Sequence, residues 1–129
     1  MAKIQRKLSG DYETILKKIE DGILDGSISA TLEDQSDFNN GKIKCSVRVF
    51  ERYSFFGKNR VSLNVTLLQS NDKDIWLSAI TSGGSRAIFI KFNTLSEQAF
   101  LNKLIDVLDN KKTDNMNWTP KVGQFISSF

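Results

Sequence analysis

Histidine is absent from this chain of 129 residues. That gap removes the side chain most often used as a general base near neutral pH, which is also the commonest transition-metal ligand. Ser-His-Asp, Cys-His and histidine-metal sites are excluded together. A single cysteine, Cys45, excludes an internal disulfide and a CxxC pair. An enzyme would have to work with carboxylates, lysine or tyrosine, and no spacing of these marks an active site. The expectation is a non-enzymatic protein with no cofactor and no metal. No segment approaches about 18 consecutive apolar residues, so no membrane span is expected. The start, Met1–Leu8, is charged and lacks the apolar core of a secretion signal, and a cytoplasmic location is expected.

Net charge is also small. The 18 basic and 15 acidic residues leave a net charge of +3. Electrostatic binding to nucleic acid needs several convergent phosphate contacts, so that partner is not expected. The chain is long enough for one domain with its own core. We read residues 1–111 as a single α+β domain and residues 112–129 as a tail.

Apolar periodicity supplies the elements. Ile4 and Leu8 share a face of a short first strand. Ser9-Gly10-Asp11 starts a helix, whose stripe is Tyr12, Ile15, Leu16, Ile19 and Ile23, and Gly26 stops it. The period then drops to two. Strands are expected over 27–32, 42–52, 60–69, 75–81 and 86–93, with Asn40-Gly41 and Gly83-Gly84 as two-residue hairpin turns. Pairing around Gly83-Gly84 sets Ala79 opposite Ile88, Leu77 opposite Ile90 and Ile75 opposite Phe92, six apolar residues on one face. Pairing around Asn40-Gly41 sets Phe38 opposite Ile43 and Leu32 opposite Val49. The odd-numbered apolar residues of strands 42–52, 60–69 and 75–81, Cys45, Val47 and Val49 included, then share one buried face with Leu32, Ile88, Ile90 and Phe92. Thr94-Leu95-Ser96-Glu97 reads as a capping box opening a second helix. The order is (β)-α-β5-α-tail: a five-stranded antiparallel meander, six-stranded if residues 3–8 join it, with an N-terminal and a C-terminal helix on one face.

Three groups of residues attract a functional reading. Ser82, Gly83, Gly84, Ser85 and Arg86 could cradle an anion, although turn chemistry alone accounts for the glycines. Lys42, Lys44, Arg48 and Arg52 are expected on the solvent face as an ordinary hydrated surface. Trp76, Ile80, Ala87 and Phe89 are expected on the side turned away from the helices, where a sheet open to water should be polar. The tail adds Trp118, Val122, Phe125, Ile126 and Phe129, too apolar for an inert extension. Tyr53-Ser54-Phe55-Phe56-Gly57 reads as an aromatic loop capping the core.

The run Ala79-Ile80-Thr81-Ser82-Gly83-Gly84-Ser85-Arg86-Ala87-Ile88-Phe89, with Asn93-Thr94 after it, resembles a family of small bacterial proteins classed as a domain of unknown function. The resemblance spans roughly residues 10–110 and implies no activity. The element order is also similar to a reduced helix-grip fold, one strand short and with one helix in place of a pair. That likeness implies an apolar ligand held between sheet and C-terminal helix. Two functions are therefore expected in turn. The first is self-association, as a homodimer, or binding through Trp76, Ile80, Ala87, Phe89, Trp118 and Phe125. The alternative is a carrier of a small apolar ligand lined by Leu63, Val65, Leu77, Ile90 and Leu104.

Overall fold

The computed structural model describes residues 1–53, 59–83, 90–109 and 125–126, with 90–96 and 125–126 described by backbone alone. It is an α+β fold. The elements are β1 (Ala2–Leu8), α1 (Tyr12–Asp25), β2 (Thr31–Asn39), β3 (Lys44–Tyr53), β4 (Arg60–Gln69), β5 (Ile75–Gly83), α2 (Ile90–Asp109) and β6 (Phe125–Ile126). The strands form one sheet in the order β2-β3-β4-β5-β1-β6, and every pairing is antiparallel.

Helix α1 follows its sequence signals. Asp11 caps it by accepting from the Thr14 amide at 3.0 Å, and the Gly26 amide closes it onto the Gly22 carbonyl. Tyr12, Ile15, Leu16, Ile19 and Ile23 are all buried, as the spacing requires. The helix meets α2 at Gly22, where an added Cβ would lie 2.6 Å from the Val107 methyls. Glycine fits there because the Val107 side chain fills the space that a Cβ would need.

The fifth full strand of the sheet is β1 rather than residues 86–93. Residues 84–89 lie outside the described part, but Ile90–Asn93 belong to α2. The partners of β5 are accordingly Ile4 for Ala79, Arg6 for Leu77 and Leu8 for Ile75. The predicted apolar ladder with Ile88, Ile90 and Phe92 does not form. Parity alone could not choose, because β1 offers the same apolar alternation to the same edge of β5. Thr94 likewise falls inside α2, four residues past its start, rather than at the opening of the helix.

The first hairpin is also rebuilt. Asn40–Ile43 form a longer connection in which the Asn40 side chain accepts from the Lys42 and Ile43 amides at 3.0 and 2.8 Å. Gly41 has φ +94°, while among the described residues no non-glycine residue is in the left-handed region, so this is not the two-residue turn expected. Phe38 now faces Cys45, Leu32 faces Phe50, and a bulge lies between Leu32 and Asp34. Residues 27–30 precede the strand instead of opening it.

The β3–β4 register inverts β3: Phe50 faces Leu63, Arg48 faces Val65 and Ser46 faces Leu67. Phe50, Arg48 and Ser46 are buried beneath the helices, while Cys45, Val47 and Val49 lie on the opposite face at intermediate exposure. Strands β4 and β5 do follow the odd-numbered expectation: Val61, Leu63, Val65, Leu67, Ile75, Leu77 and Ala79 are core. With Ile4, Leu8, Phe100, Leu101 and Leu104 they form one hydrophobic cluster under α1 and α2.

Candidate functional site: the uncovered face of the sheet

The residues of the sheet face away from the helices fall into rows across the strands. The first runs Phe38, Cys45, Leu68, Trp76, Lys7, from β2 to β1. The next is Ser36, Val47, Thr66, Ser78, Gln5, and the third is Asp34, Val49, Asn64, Ile80, Lys3. Thr31, Glu51, Ser62 and Ser82 close the grid.

The first row is apolar over four strands and open to solvent. Relative exposures are 64% for Phe38, 38% for Leu68 and 41% for Trp76, with Ile43 at 45% beside it and Ile80 at 38% two rows on. The Lys7 ammonium lies 5.6 Å above the Trp76 ring. Next to Trp76 is a shallow hollow of about 230 Å³, bordered by Gln5, Thr66, Leu68 and Ser78. Ion pairs gather at the far end: Arg60 reaches Glu51 at 2.6 Å and Glu33 at 3.3 Å and lies over the Tyr53 ring.

Trp76 and Ile80 thus stand on the outer face as expected. Ala87, Phe89 and Trp118 lie outside the described residues, as do Ser85, Arg86 and Gly84 of the anion-cradle candidate. Ser82 and Gly83 are the end of β5, where the Ser82 hydroxyl lies 2.7 Å from that of Ser62. Residues 54–58 of the aromatic loop are outside the described part as well. Phe125 is opposite Arg6 in register, so the described piece of the tail pairs with β1 at the sheet edge.

Of the basic residues expected in solvent, Lys42 is exposed in the connection before β3, while Lys44, Arg48 and Arg52 lie on the inner side of the strand. Arg48 is buried under α1, held by Glu20 at 2.6 Å and Asp37 at 3.0 Å. Burial by itself disfavours the guanidinium charge, but the bonds to Glu20 and Asp37 and their negative charges win and hold its pKa above the ordinary arginine value. Burial also pushes the Asp37 carboxyl up. Hydrogen bonds from Ser46 and Arg48 outweigh it, and the pKa lies below the usual aspartate value. The Tyr12 hydroxyl donates within this cluster, 2.8 Å from Ser46 Oγ and 3.2 Å from the Leu67 carbonyl, and its pKa is raised, chiefly by burial. Lys44 lies 3.8 Å from Glu13 and over the Tyr12 ring, and Arg52 stacks 4.5 Å from the Phe100 ring centre. A cleft of about 200 Å³ opens here between α1 and the β2–β3 end. Its charged groups are paired with one another, which makes it a polar brace between helix and sheet. Sequence reasoning missed it. The signal was Phe50, the largest apolar residue of β3, which shares a parity with Ser46 and Arg48.

The apolar pocket proposed for a carrier is filled by the protein itself. Leu63, Val65, Leu77 and Leu104 are buried members of the core cluster, packed with Phe50 and Phe100. Ile90 lies in α2 and is described by backbone only. The carrier reading is not favoured. Among the described residues no cluster of three acidic, cysteine or histidine side chains is placed to hold a metal, and no helix is long and apolar enough to cross a membrane.

The model of a family of unknown function, DUF6054, matches residues 1–112. The chain belongs to that family. No curated protein and no solved structure matches it. The matched segment of this DUF6054 member runs from the start of β1 to just past α2, and so contains both the polar brace and the whole uncovered face.

Proposed function

We propose that this DUF6054 member is a non-enzymatic bacterial cytoplasmic protein that works by self-association through the outer face of its sheet. The observation that carries the reading is the exposed row Phe38, Cys45, Leu68, Trp76, on a sheet face that neither helix covers. Sheets with one wet face keep that face polar, and a contiguous exposed apolar patch marks an interface.

Size bounds the affinity. Five strands about 4.8 Å apart and four rows about 6.8 Å apart give roughly 650 Å² of face per copy. Two copies would bury about 1,300 Å², at the low end for specific association, so the dimer is weak and concentration-dependent. The tail contributes at the edge: pairing of Phe125–Ile126 with β1 covers a strand edge that would otherwise template open-ended stacking.

Sedimentation of the full chain from low to high micromolar concentration tests the reading. A shift from monomer to dimer is expected, with Trp76→Ser moving the midpoint at least tenfold upward. A strict monomer at all concentrations would sink it.

A further inference from the structure

The outer face is asymmetric in a way that fits a second copy of itself. Its first row begins with an exposed Phe38 on β2 and ends with Trp76 on β5 and Lys7 on β1, next to a shallow hollow. Its third row begins with Asp34 on β2 and ends with Lys3 on β1. Aromatic and cation, and anion and cation, sit at opposite edges of one surface.

We infer that two copies pack face to face about a two-fold axis running along β4, seating Phe38 of each against the Lys7–Trp76 pair of the other. The inference rests on the self-association reading and adds its geometry. A two-fold along the strands reverses the strand order, so β2 of one copy lies over β1 of the other. That sets Phe38 over Lys7, beside Trp76, and Asp34 over Lys3, each twice by symmetry. A two-fold across the strands keeps the order and lays β1 on β1. The cations of β1 then face the cations of the other β1, and Phe38 of each copy lies over the other β2, away from Trp76. Shape and charge select the first arrangement. Strands β2 and β1 are four spacings apart, about 19 Å, so the paired contacts flank the axis by roughly 10 Å on each side. Aligned sheets packed about 10 Å apart interdigitate side chains of this size.

Charge exchange tests the geometry in the full chain. Lys3→Glu and Asp34→Lys should each raise the dimer dissociation constant roughly fivefold, the scale of rim ion pairs broken in duplicate. The double variant should return it to within about twofold of the parent. A second measurement does not depend on those side chains. Asn64 is exposed and central on β4, so it should face its own copy across the axis. In a Cys45→Ser background, Asn64→Cys should be cross-linked to a covalent dimer by a short bis-maleimide, and Ser82→Cys should not. A dimer that neither responds to charge exchange nor links through position 64 overturns this arrangement and leaves face-mediated association standing. A parent protein that stays monomeric overturns both.

Discussion

Arg48 gives the sharpest test of the inverted third strand, because its loss and the loss of its partners should have unequal costs. Its side chain is 6% exposed, while Glu20 and Asp37 are 26% and 48% exposed. Replacing Arg48 with Met removes the only deeply buried charge of the trio and leaves a side chain of similar length to fill the space. The two carboxylates are close enough to solvent to rehydrate. The expected cost is about 1 kcal/mol, since exchanging a buried ion for a packed apolar group is often near neutral. The variant Glu20→Gln with Asp37→Asn does the opposite and strands a guanidinium in the interior with only neutral acceptors. Breaking a buried pair from that side costs about 3 kcal/mol or more. The difference of about 2 kcal/mol corresponds to roughly 8 °C in Tm for a chain of this size. Urea unfolding followed by far-ultraviolet circular dichroism at neutral pH reads both. If Arg48→Met is as damaging as the carboxylate double variant, Arg48 is not the buried member and the β3 assignment fails.

Three further outcomes follow from the same coordinates. Phe50→Ala should cost about 3–5 kcal/mol, whereas Val47→Ala, on the outer face, should cost under about 1 kcal/mol in the monomer, both read by denaturant unfolding. At alkaline pH, stability should fall as pH rises from about 10 through the raised Tyr12 pKa, because the folded state holds the phenolic proton longer than the unfolded chain; Tyr12→Phe should flatten that part of the stability-pH curve and should lose about 1 kcal/mol at pH 7. Gly22→Ala gains up to about 1 kcal/mol of helix propensity, yet its Cβ would press on the stiff Val107 side chain at 2.6 Å; a net loss in Tm is expected, and Val107→Ala in the same chain should turn the alanine at 22 from harmful to helpful.

The legible parts of the fold were those where one signal had no competitor. Tyr12, Ile15, Leu16, Ile19 and Ile23 have helical spacing, an Asp11 cap and a Gly26 stop, and all five are buried. Strands β4 and β5 alternate without interruption, and their inner faces came out residue by residue. The errors arose where two solutions satisfied the same rule. Residues 86–93 and 2–8 both present alternating apolar residues to β5, and only the tertiary structure shows that β1 takes the place while Ile90–Asn93 coil into α2. In β3 both parities contain apolar residues, with Cys45, Val47 and Val49 on one and Phe50 on the other. Counting favoured the trio. Volume favoured Phe50, and so did two cations able to reach partners from the inner face: Arg48 finds Glu20 and Asp37, and Arg52 stacks on Phe100. Of the candidate site, Trp76 and Ile80 were visible from the parity of β5. Phe38 was not, because its face follows from the β3–β4 register that sets Cys45 opposite Leu68, and the hollow was not, because it needs β1 beside β5.

That inversion bears on function. A one-residue change of parity in β3 would bury Cys45, Val47 and Val49 and release Arg48 to water. Full burial of a valine is worth about 1.5 kcal/mol or more, and a guanidinium costs several kcal/mol to desolvate before its partners compensate. Judged on an isolated monomer, that alternative has much to recommend it. The native register forgoes it, holding Phe50 in the core and placing an apolar strand surface on the side that the helices leave bare. The loss becomes smaller if that surface is covered in solution, because Val47, Val49 and Cys45 then recover their burial at an interface. The strand is therefore apolar toward both of its destinations, with Phe50 serving the core and the odd-numbered trio serving the outer face. The energetic consequence is measurable. Substituting Val47 and Val49 with Thr should barely change unfolding at low protein concentration. It should lower the apparent stability at high concentration, where dimerisation adds to it by mass action. An equal effect at both concentrations would place the valines in the monomer core and remove the reason to look to the outer face.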